Sequence, residues 1–124
     1  MSLKTSRINL MDRLAQHVKH EVMLQAEGFA SEAGMLQKVG KRFIRVSDQY
    51  FVPHTLHEIV LLNGPRKQGA ASVSLRTTYG GSFSAELVKV GTDFAEVVVS
   101  REAARTKQWV LIPLARVISI EETG

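Results

Sequence analysis

The sequence predicts a mainly β protein that contains two copies of one small unit, preceded by a short helix. A segment of eleven residues that begins at Leu36 recurs from Leu87, with six identical residues at a constant offset of 51 positions (87 − 36). Apolar residues alternate with polar ones in both copies, which is the pattern of half-buried strands. Repetition of this kind indicates an architecture and carries no chemistry of its own.

The helix is predicted over 8–18, because apolar residues recur there at spacings of three and four. Ser6 is placed to cap its N-terminus. Strands are predicted near 21–24, 35–39, 43–46, 50–52 and 59–62 in the first copy, and near 71–78, 82–90, 93–100, 108–112 and 116–121 in the second. Further along the chain, Phe51-Val52-Pro53 corresponds to Leu111-Ile112-Pro113, and Leu56, Ile59 and Leu62 correspond to Leu114, Val117 and Ile120.

These patterns divide the chain into a helix with a first unit over 1–62, a linker over 63–70 and a second unit over 71–124. The linker concentrates turn-forming and charged residues and has no apolar period. The copies differ in one hairpin, which is longer between Val97 and Ile112 than between Val46 and Val52. The extra length is either the place of a specific function or a longer solvated hairpin.

Composition sets wide limits on function. Sixteen basic and twelve acidic residues give a net charge of +4, which permits a nucleic-acid partner without requiring one. The absence of cysteine excludes disulfides and thiol nucleophiles and fits a reducing compartment. No apolar run approaches the roughly 20 residues that span a bilayer, and the N-terminal residues lack the apolar stretch of a secretory signal. We therefore expect a cytoplasmic protein without membrane contact.

Motifs that support catalysis or metal binding are missing from the sequence. It has no glycine-rich phosphate loop, no nucleophile elbow and no paired carboxylates in a shared context. Asp93 and Glu96 are close in sequence, but acids beside a hairpin are commonly exposed. The histidines form two pairs three residues apart, His17 with His20 and His54 with His57. Because zinc needs a third protein ligand, we expect no metal site, no cofactor and no catalytic centre.

A basic surface is the candidate for nucleic-acid binding. Eight basic residues cluster in the first hairpin, the linker and the long hairpin of the second copy: Lys41, Arg42, Arg45, Arg66, Lys67, Arg101, Arg105 and Lys107. Few aromatic residues accompany them for stacking on bases. The alternative is a solvated face whose charges keep the sheet edges from pairing with other chains.

The final strand of each copy is the candidate for assembly. Both strands are apolar and rich in β-branched residues: Ile59, Val60, Leu61 and Leu62 in the first copy, and Val117, Ile118 and Ile120 in the second. Such a strand can add its edge to the sheet of another chain. The alternative is that both strands are buried within one monomer.

The order of these elements resembles the Sm-like family of five-stranded small β-barrels. The second copy is the closer match, because 81–97 parallels the first motif of the family and 110–120 stands where the second motif lies. The resemblance implies two tandem five-stranded Sm-like small β-barrels with a short N-terminal α-helix, in a family that closes rings by joining barrel edges. A weaker similarity to PRC-barrel domains, in the step before the last strand, also implies protein assembly.

The residues that form the RNA site of the Sm-like family are not matched. Glu96 occupies the position of an asparagine, Ile112-Pro113 replaces an Arg-Gly pair, and Ala85 replaces a glycine. A carboxylate repels phosphate and cannot donate a hydrogen bond to a base. We therefore expect a non-enzymatic binding and assembly module that forms homo-oligomers through protein–protein contacts. RNA binding through the basic surface is the alternative.

Overall fold

The protein is mainly β with one short helix, as the sequence predicts. The structure, a computed structural model, describes residues 4–62, 71–100 and 107–123. The helix is α1 (Leu10–Ala15). The strands are β1 (Glu21–Ala26), β2 (Phe29–Ala30), β3 (Gly34–Val39), β4 (Ile44–Val46), β5 (Gln49–Phe51), β6 (Glu58–Leu61), β7 (Ala71–Thr77), β8 (Gly81–Val90), β9 (Phe94–Val99), β10 (Gln108–Pro113) and β11 (Val117–Glu122). Within the described ranges, no helix has the length and hydrophobicity of a membrane-spanning segment.

Helix α1 begins later than the sequence predicts. Its N-cap is Asn9, whose side-chain oxygen accepts a hydrogen bond of 2.8 Å from the backbone N of Asp12. Ser6 was the expected cap, but its backbone N donates to the carbonyl of Val90 at 2.9 Å. The residues before Asn9 therefore follow the second half of the chain instead of continuing the helix.

The two halves have the same strand order. It is β6-β1-β3-β4-β5 in the first half and β11-β7-β8-β9-β10 in the second, with β2 as an additional short partner of β1. In both halves the last strand lies beside the first, and the fourth strand lies on the far side. The described strands form one antiparallel sheet of 11 strands that does not close.

The pairing register repeats with the sequence. Leu36 lies opposite Val46 in the first half, and Leu87 lies opposite Val97 in the second. Immediately after each of these pairs the register shifts by one residue, at the same place in both ladders. A β-bulge increases the local bend of a strand, so both halves bend at equivalent positions.

After β4 and β9, the predicted correspondence between residues of the two halves was wrong by a few positions. Phe51 lies opposite Ile44 and Ile112 lies opposite Ala95, so the counterpart of Phe51 is Ile112 and not Leu111. The prediction aligned Pro53 with Pro113, but these prolines have different positions: Pro113 ends β10, and Pro53 begins a short 3-10 turn.

The predicted correspondence between the last strands, β6 and β11, was also wrong. Leu24 lies opposite Ile59 and Leu75 lies opposite Ile120. Because Leu24 and Leu75 are repeat equivalents, Ile59 corresponds to Ile120 and not to Val117. The ladder of β11 contains a bulge between Val117 and Ser119, which the sequence pattern did not reveal.

Two apolar cores lie on opposite sides of β6 and β10, the strands through which the two halves pair. The first core contains Leu10, Met11, Leu14, Val22, Leu24, Leu36, Ile44, Val46, Leu56, Ile59, Leu61, Phe94 and Leu111. The second contains Val60, Val73, Leu75, Ala85, Leu87, Val97, Val99, Val110 and Ile112. Strand β9 is buried at every position, with Phe94 in the first core and with Val97 and Val99 in the second.

Candidate partner-binding site

The halves join edge to edge through β6 and β10. The paired residues are all apolar: Ile59 with Leu111, Val60 with Val110, and Leu61 with Trp109. Ile59, Val60 and Leu61 are at most 3% exposed, and Leu62, which follows them, is half-buried against the second core. The first predicted assembly edge therefore pairs within the chain.

The second predicted assembly edge lies at one end of the sheet. Strand β11 pairs with β7 on one side, and no described strand lies on its other side. Val117 and Ile120 are half-buried against the second core, whereas Ile118 is 59% exposed. The other end of the sheet is β5, which pairs with β4.

A buried ion pair fixes helix α1 on the second half. The Arg13 guanidinium donates from Nε to Oε1 of Glu96 at 2.8 Å and from Nη2 to Oε2 at 3.2 Å. Trp109 Nε1 donates to the same carboxylate at 2.6 Å. Arg13 is 5% exposed and Glu96 is 2% exposed. Glu96, which was expected to be an exposed acid beside a hairpin, is thus buried and connects α1 to the second half.

Further polar contacts cross between the halves. Asp93 Oδ1 accepts a hydrogen bond of 2.7 Å from the backbone N of Leu10, at the start of α1. On the other side of the sheet, Tyr79 donates its hydroxyl to Glu58 at 2.6 Å, and its ring stacks on His57 with centroids 4.5 Å apart. These contacts give the two halves a defined relative position.

Gly91 allows the N-terminal segment to approach the second half. A Cβ atom at this position would lie 2.6 Å from the carbonyl oxygen of Ile8 and would also overlap the ring of Phe94. At the repeat equivalent, Gly40, a Cβ would meet only the carbonyl of Phe43, at 3.4 Å.

We expect Gly91→Ala to lower the free energy of unfolding by about 1–3 kcal/mol, the usual cost of overpacking. Gly40→Ala is the matched control and should change it by less than about 0.5 kcal/mol. Urea unfolding of both variants measures the difference. Equal effects would contradict the close approach of the N-terminal segment.

His17 is buried at the end of the helical segment. It is 2% exposed, and its Nε2 lies 3.1 Å from the carbonyl oxygen of Glu21. Burial lowers the pKa of His17 below its ordinary value of 6.5, and the positive charges of His20 and Arg13 lower it further. Hydrogen bonds to the backbone of Glu21 and Leu62 act in the opposite direction.

This lowered pKa predicts a loss of stability in acid. The unfolded chain binds the His17 proton first as the pH falls, so the contribution is complete above the ordinary value of 6.5 and is lost as the pH falls through the lowered pKa. Urea unfolding at about pH 7.5 and about pH 5.5 measures this loss. The loss should be smaller in His17→Gln, and an unchanged loss would assign the effect to other groups.

Four buried side chains form what we call the covered face, on the side of β9 and β10 that points away from the second core. They are Phe94, Glu96, Leu111 and Pro113. Helix α1 lies over this face, because Leu10 and Leu14 share the first core with Phe94 and Leu111 and Arg13 binds Glu96.

The equivalent face of the first half is exposed. The repeat and the strand registers place Phe43, Arg45, Tyr50 and Val52 where the second half has the covered face, and we call these four residues the open face. Phe43 is 51% exposed, Tyr50 is 63% exposed and Val52 is 36% exposed. No described residue takes the place of α1 on the open face.

Arg45 lies at the centre of the open face. Its guanidinium carbon is 5.9 Å from the centroid of the Tyr50 ring, and Nη2 donates to Asp48 at 3.2 Å in an exposed ion pair. Nε of Arg45 has no hydrogen-bond partner among the described residues. Such an exposed pair is worth only about 0–1 kcal/mol, so a new partner could replace Asp48.

The residues predicted to bind nucleic acid do not form one described cluster. Lys41 and Arg42 are exposed in the turn before β4, next to Arg45. Lys107 lies in the other half, where it forms an ion pair with Glu86 at 2.8 Å. Arg66, Lys67, Arg101 and Arg105 lie outside the described residues.

The predicted histidine pairs do not form a metal centre within the described ranges. His17 and His20 have ring centroids 5.0 Å apart, and His54 lies 3.5 Å from Asp93. No group of three or more potential ligands could hold a metal ion there.

The sequence reasoning missed the open face and the role of Arg13. The repeat aligns Phe43 with Phe94. The sequence alone does not show that only Phe94 is covered. The equivalence of Tyr50 with Leu111 was missed, because the incorrect register matched Phe51 with Leu111. The role of Arg13 is not visible in the sequence, because its partner Glu96 is 83 positions away.

Comparison of the chain with models of protein families, with curated proteins and with solved structures finds no match.

Proposed function

We propose that the chain is a tandem pair of Sm-like small β-barrels that acts without catalysis, as a module that binds and assembles other proteins through a sheet edge. The junction of β6 with β10 carries this proposal, because it is an edge-to-edge contact between the two halves. The common strand order and register of the halves fit the five-stranded units that the resemblance implies. Strand addition is a general mode of protein recognition.

Strand β5 is the edge at which we place the partner. It corresponds to β10, since each is the fourth strand of its half. Tyr50, Phe43 and Val52 expose apolar surface beside this edge, and Phe29 adds a ring 5.7 Å from that of Phe51. A cluster of exposed apolar side chains beside an open edge is typical of a protein interface.

A second copy of the chain fits this edge poorly. If β11 of one copy paired with β5 of another in the register of the internal junction, Glu122 would take the place of Leu61 and Asp48 that of Trp109. Like charges directly opposite each other destabilise a sheet. We therefore favour a different protein as the partner and expect a monomer by light scattering.

RNA is the second candidate ligand. The open face places two exposed aromatic rings, Phe43 and Tyr50, close to Arg45 and to the exposed side chains of Lys41 and Arg42. Aromatic rings and cations in one place are typical of single-stranded RNA surfaces. Fluorescence anisotropy with labelled RNA at low and physiological salt measures this binding, which should weaken as salt rises.

Photo-cross-linking tests the proposed function. A photoreactive amino acid is incorporated at position 50 of the protein in the cells that naturally produce it. The control is position 76, since Arg76 is exposed on the inner strand β7. We expect one defined protein to cross-link at position 50 and not at position 76. The purified partner should bind the wild-type chain at least about tenfold more tightly than Tyr50→Asp.

Three other outcomes would contradict the proposed protein partner. Cross-linking to RNA alone would favour the second candidate, and cross-linking to the chain itself would favour self-assembly. Equal labelling at positions 50 and 76 would exclude a specific surface at β5.

A further inference from the structure

We propose that the open face binds an amphipathic helix of the partner, and that an acidic side chain on the apolar face of this helix pairs with Arg45. This inference rests on the proposed function and names the chemistry of its partner. It follows from the comparison of two equivalent faces, of which one is already covered by a helix.

Helix α1 shows how such a face is covered. Its buried side chains are Leu10, Met11, Arg13 and Leu14, so one charge is placed within an apolar stripe. The leucines contribute to the first core together with Phe94 and Leu111, while Arg13 binds Glu96 with two hydrogen bonds. Apolar contacts thus hold the helix, and one buried pair sets its position.

The open face retains the apolar groups and reverses the charges. Phe43 is the counterpart of Phe94, and Tyr50 that of Leu111. Arg45 stands where the covered face has Glu96. A helix that covers the open face therefore needs a carboxylate where α1 has a guanidinium, and arginine and carboxylate pair well through two hydrogen bonds.

A second reversal lies at the end of the face. Asp93 accepts a hydrogen bond from the first turn of α1, and its repeat equivalent is Arg42. A cation beside the positive end of a helix dipole is unfavourable. Acidic residues in the first turn of the partner helix would compensate for Arg42, which adds to the preference for an acidic helix.

The charges also argue against α1 of a second copy as the ligand. Arg13 of another chain would face Arg45, and like charges within a desolvated contact are strongly unfavourable. The same reversal supplies a direct test, because a single substitution in the α1 sequence should convert it into a ligand.

The probes are three synthetic peptides that span 4–20, titrated into the full isotope-labelled chain and followed by NMR. One has the native sequence and the second carries Arg13→Glu. The third carries Arg13→Gln and Gln16→Glu, which gives it the net charge of the second but places the acid on the exposed side of the helix. Resonances of Phe43, Arg45 and Tyr50 report on the open face.

We expect the Arg13→Glu peptide to bind the open face at least about tenfold more tightly than either other peptide. In the Arg45→Glu protein the order should reverse, so that the native peptide binds more tightly than Arg13→Glu. Arg45→Gln should remove the preference without creating a new one. Unchanged resonances far from β4 and β5 verify that both variants fold.

Three results would overturn the inference. They are no shift at the open face at millimolar peptide, equal binding of the two acidic peptides, and shifts caused by an oligouridine but by no peptide. If a partner protein cross-links at position 50 while all peptides fail, the proposed function stands and the acidic helix is wrong. If position 50 captures no protein, the proposed function itself fails.

Discussion

Replacement of Arg13 by methionine is expected to lower the free energy of unfolding by about 3–5 kcal/mol, because it leaves a buried carboxylate without its charge partner. Glu96 is 2% exposed, and its other described side-chain partner is the indole N–H of Trp109. The expected loss is a large fraction of the 5–15 kcal/mol by which domains are typically stable. Urea unfolding monitored by Trp109 fluorescence measures it.

Two further variants isolate the buried charge as the cause. Arg13→Met combined with Glu96→Gln removes both charges and keeps an acceptor for Trp109, so it should recover most of the lost stability. Arg45→Met removes an arginine of the same chain from an exposed ion pair and should cost less than about 1 kcal/mol. Similar losses in the Arg13→Met and Arg45→Met proteins would show that Arg13 is not buried against Glu96.

Phe94→Ala is the second substitution with a large expected effect. Phe94 is fully buried between α1 and the first half, so its truncation should cost about 3–5 kcal/mol of unfolding free energy. Phe43→Ala changes the same residue at the equivalent position of the other half, where the ring is 51% exposed, and should cost less than about 0.5 kcal/mol. Urea unfolding of the two variants measures the difference.

This pair of variants tests the asymmetry of the two faces. A loss of several kcal/mol in Phe43→Ala would mean that the open face is covered in the free protein. A small loss in Phe94→Ala would mean that α1 does not cover the second half. Either result would remove the template on which the helix-binding inference depends.

The local architecture could be predicted from the sequence. Alternating apolar residues placed the strands of the second half within about one residue of their observed ends. The repeated segment coincides with the register that β3–β4 and β8–β9 have in common. These features depend on neighbouring residues, which a sequence shows directly.

The junction could not be predicted, because it depends on residues far apart in the chain. The final strands of both copies are apolar, and both were predicted as assembly edges. Only the fold shows that β6 pairs with β10, whereas β11 lies at the end of the sheet. The partner of Glu96 was hidden for the same reason.

The open face was not predicted because the exposure of a strand depends on which other elements pack on it. Phe43 and Phe94 occupy the same place in the repeat, yet one is 51% exposed and the other is fully buried. The difference arises because α1 and the first core pack on Phe94, whereas no described element packs in the same way on Phe43. A repeat with one helix therefore leaves one of two equivalent faces without a cover.

Hydrogen exchange of the chain, free and in complex with its cross-linked partner, tests the central claim most directly. Strand β5 (Gln49–Phe51) lies at one end of the sheet in the free protein. Its amides that point away from β4 are paired with no described strand and should exchange readily. We predict that partner binding slows exchange there and at Ile44–Val46, while β11 is unchanged. Slower exchange at β11 alone, with β5 unaffected, would contradict the assignment of β5 and the open face as the binding surface.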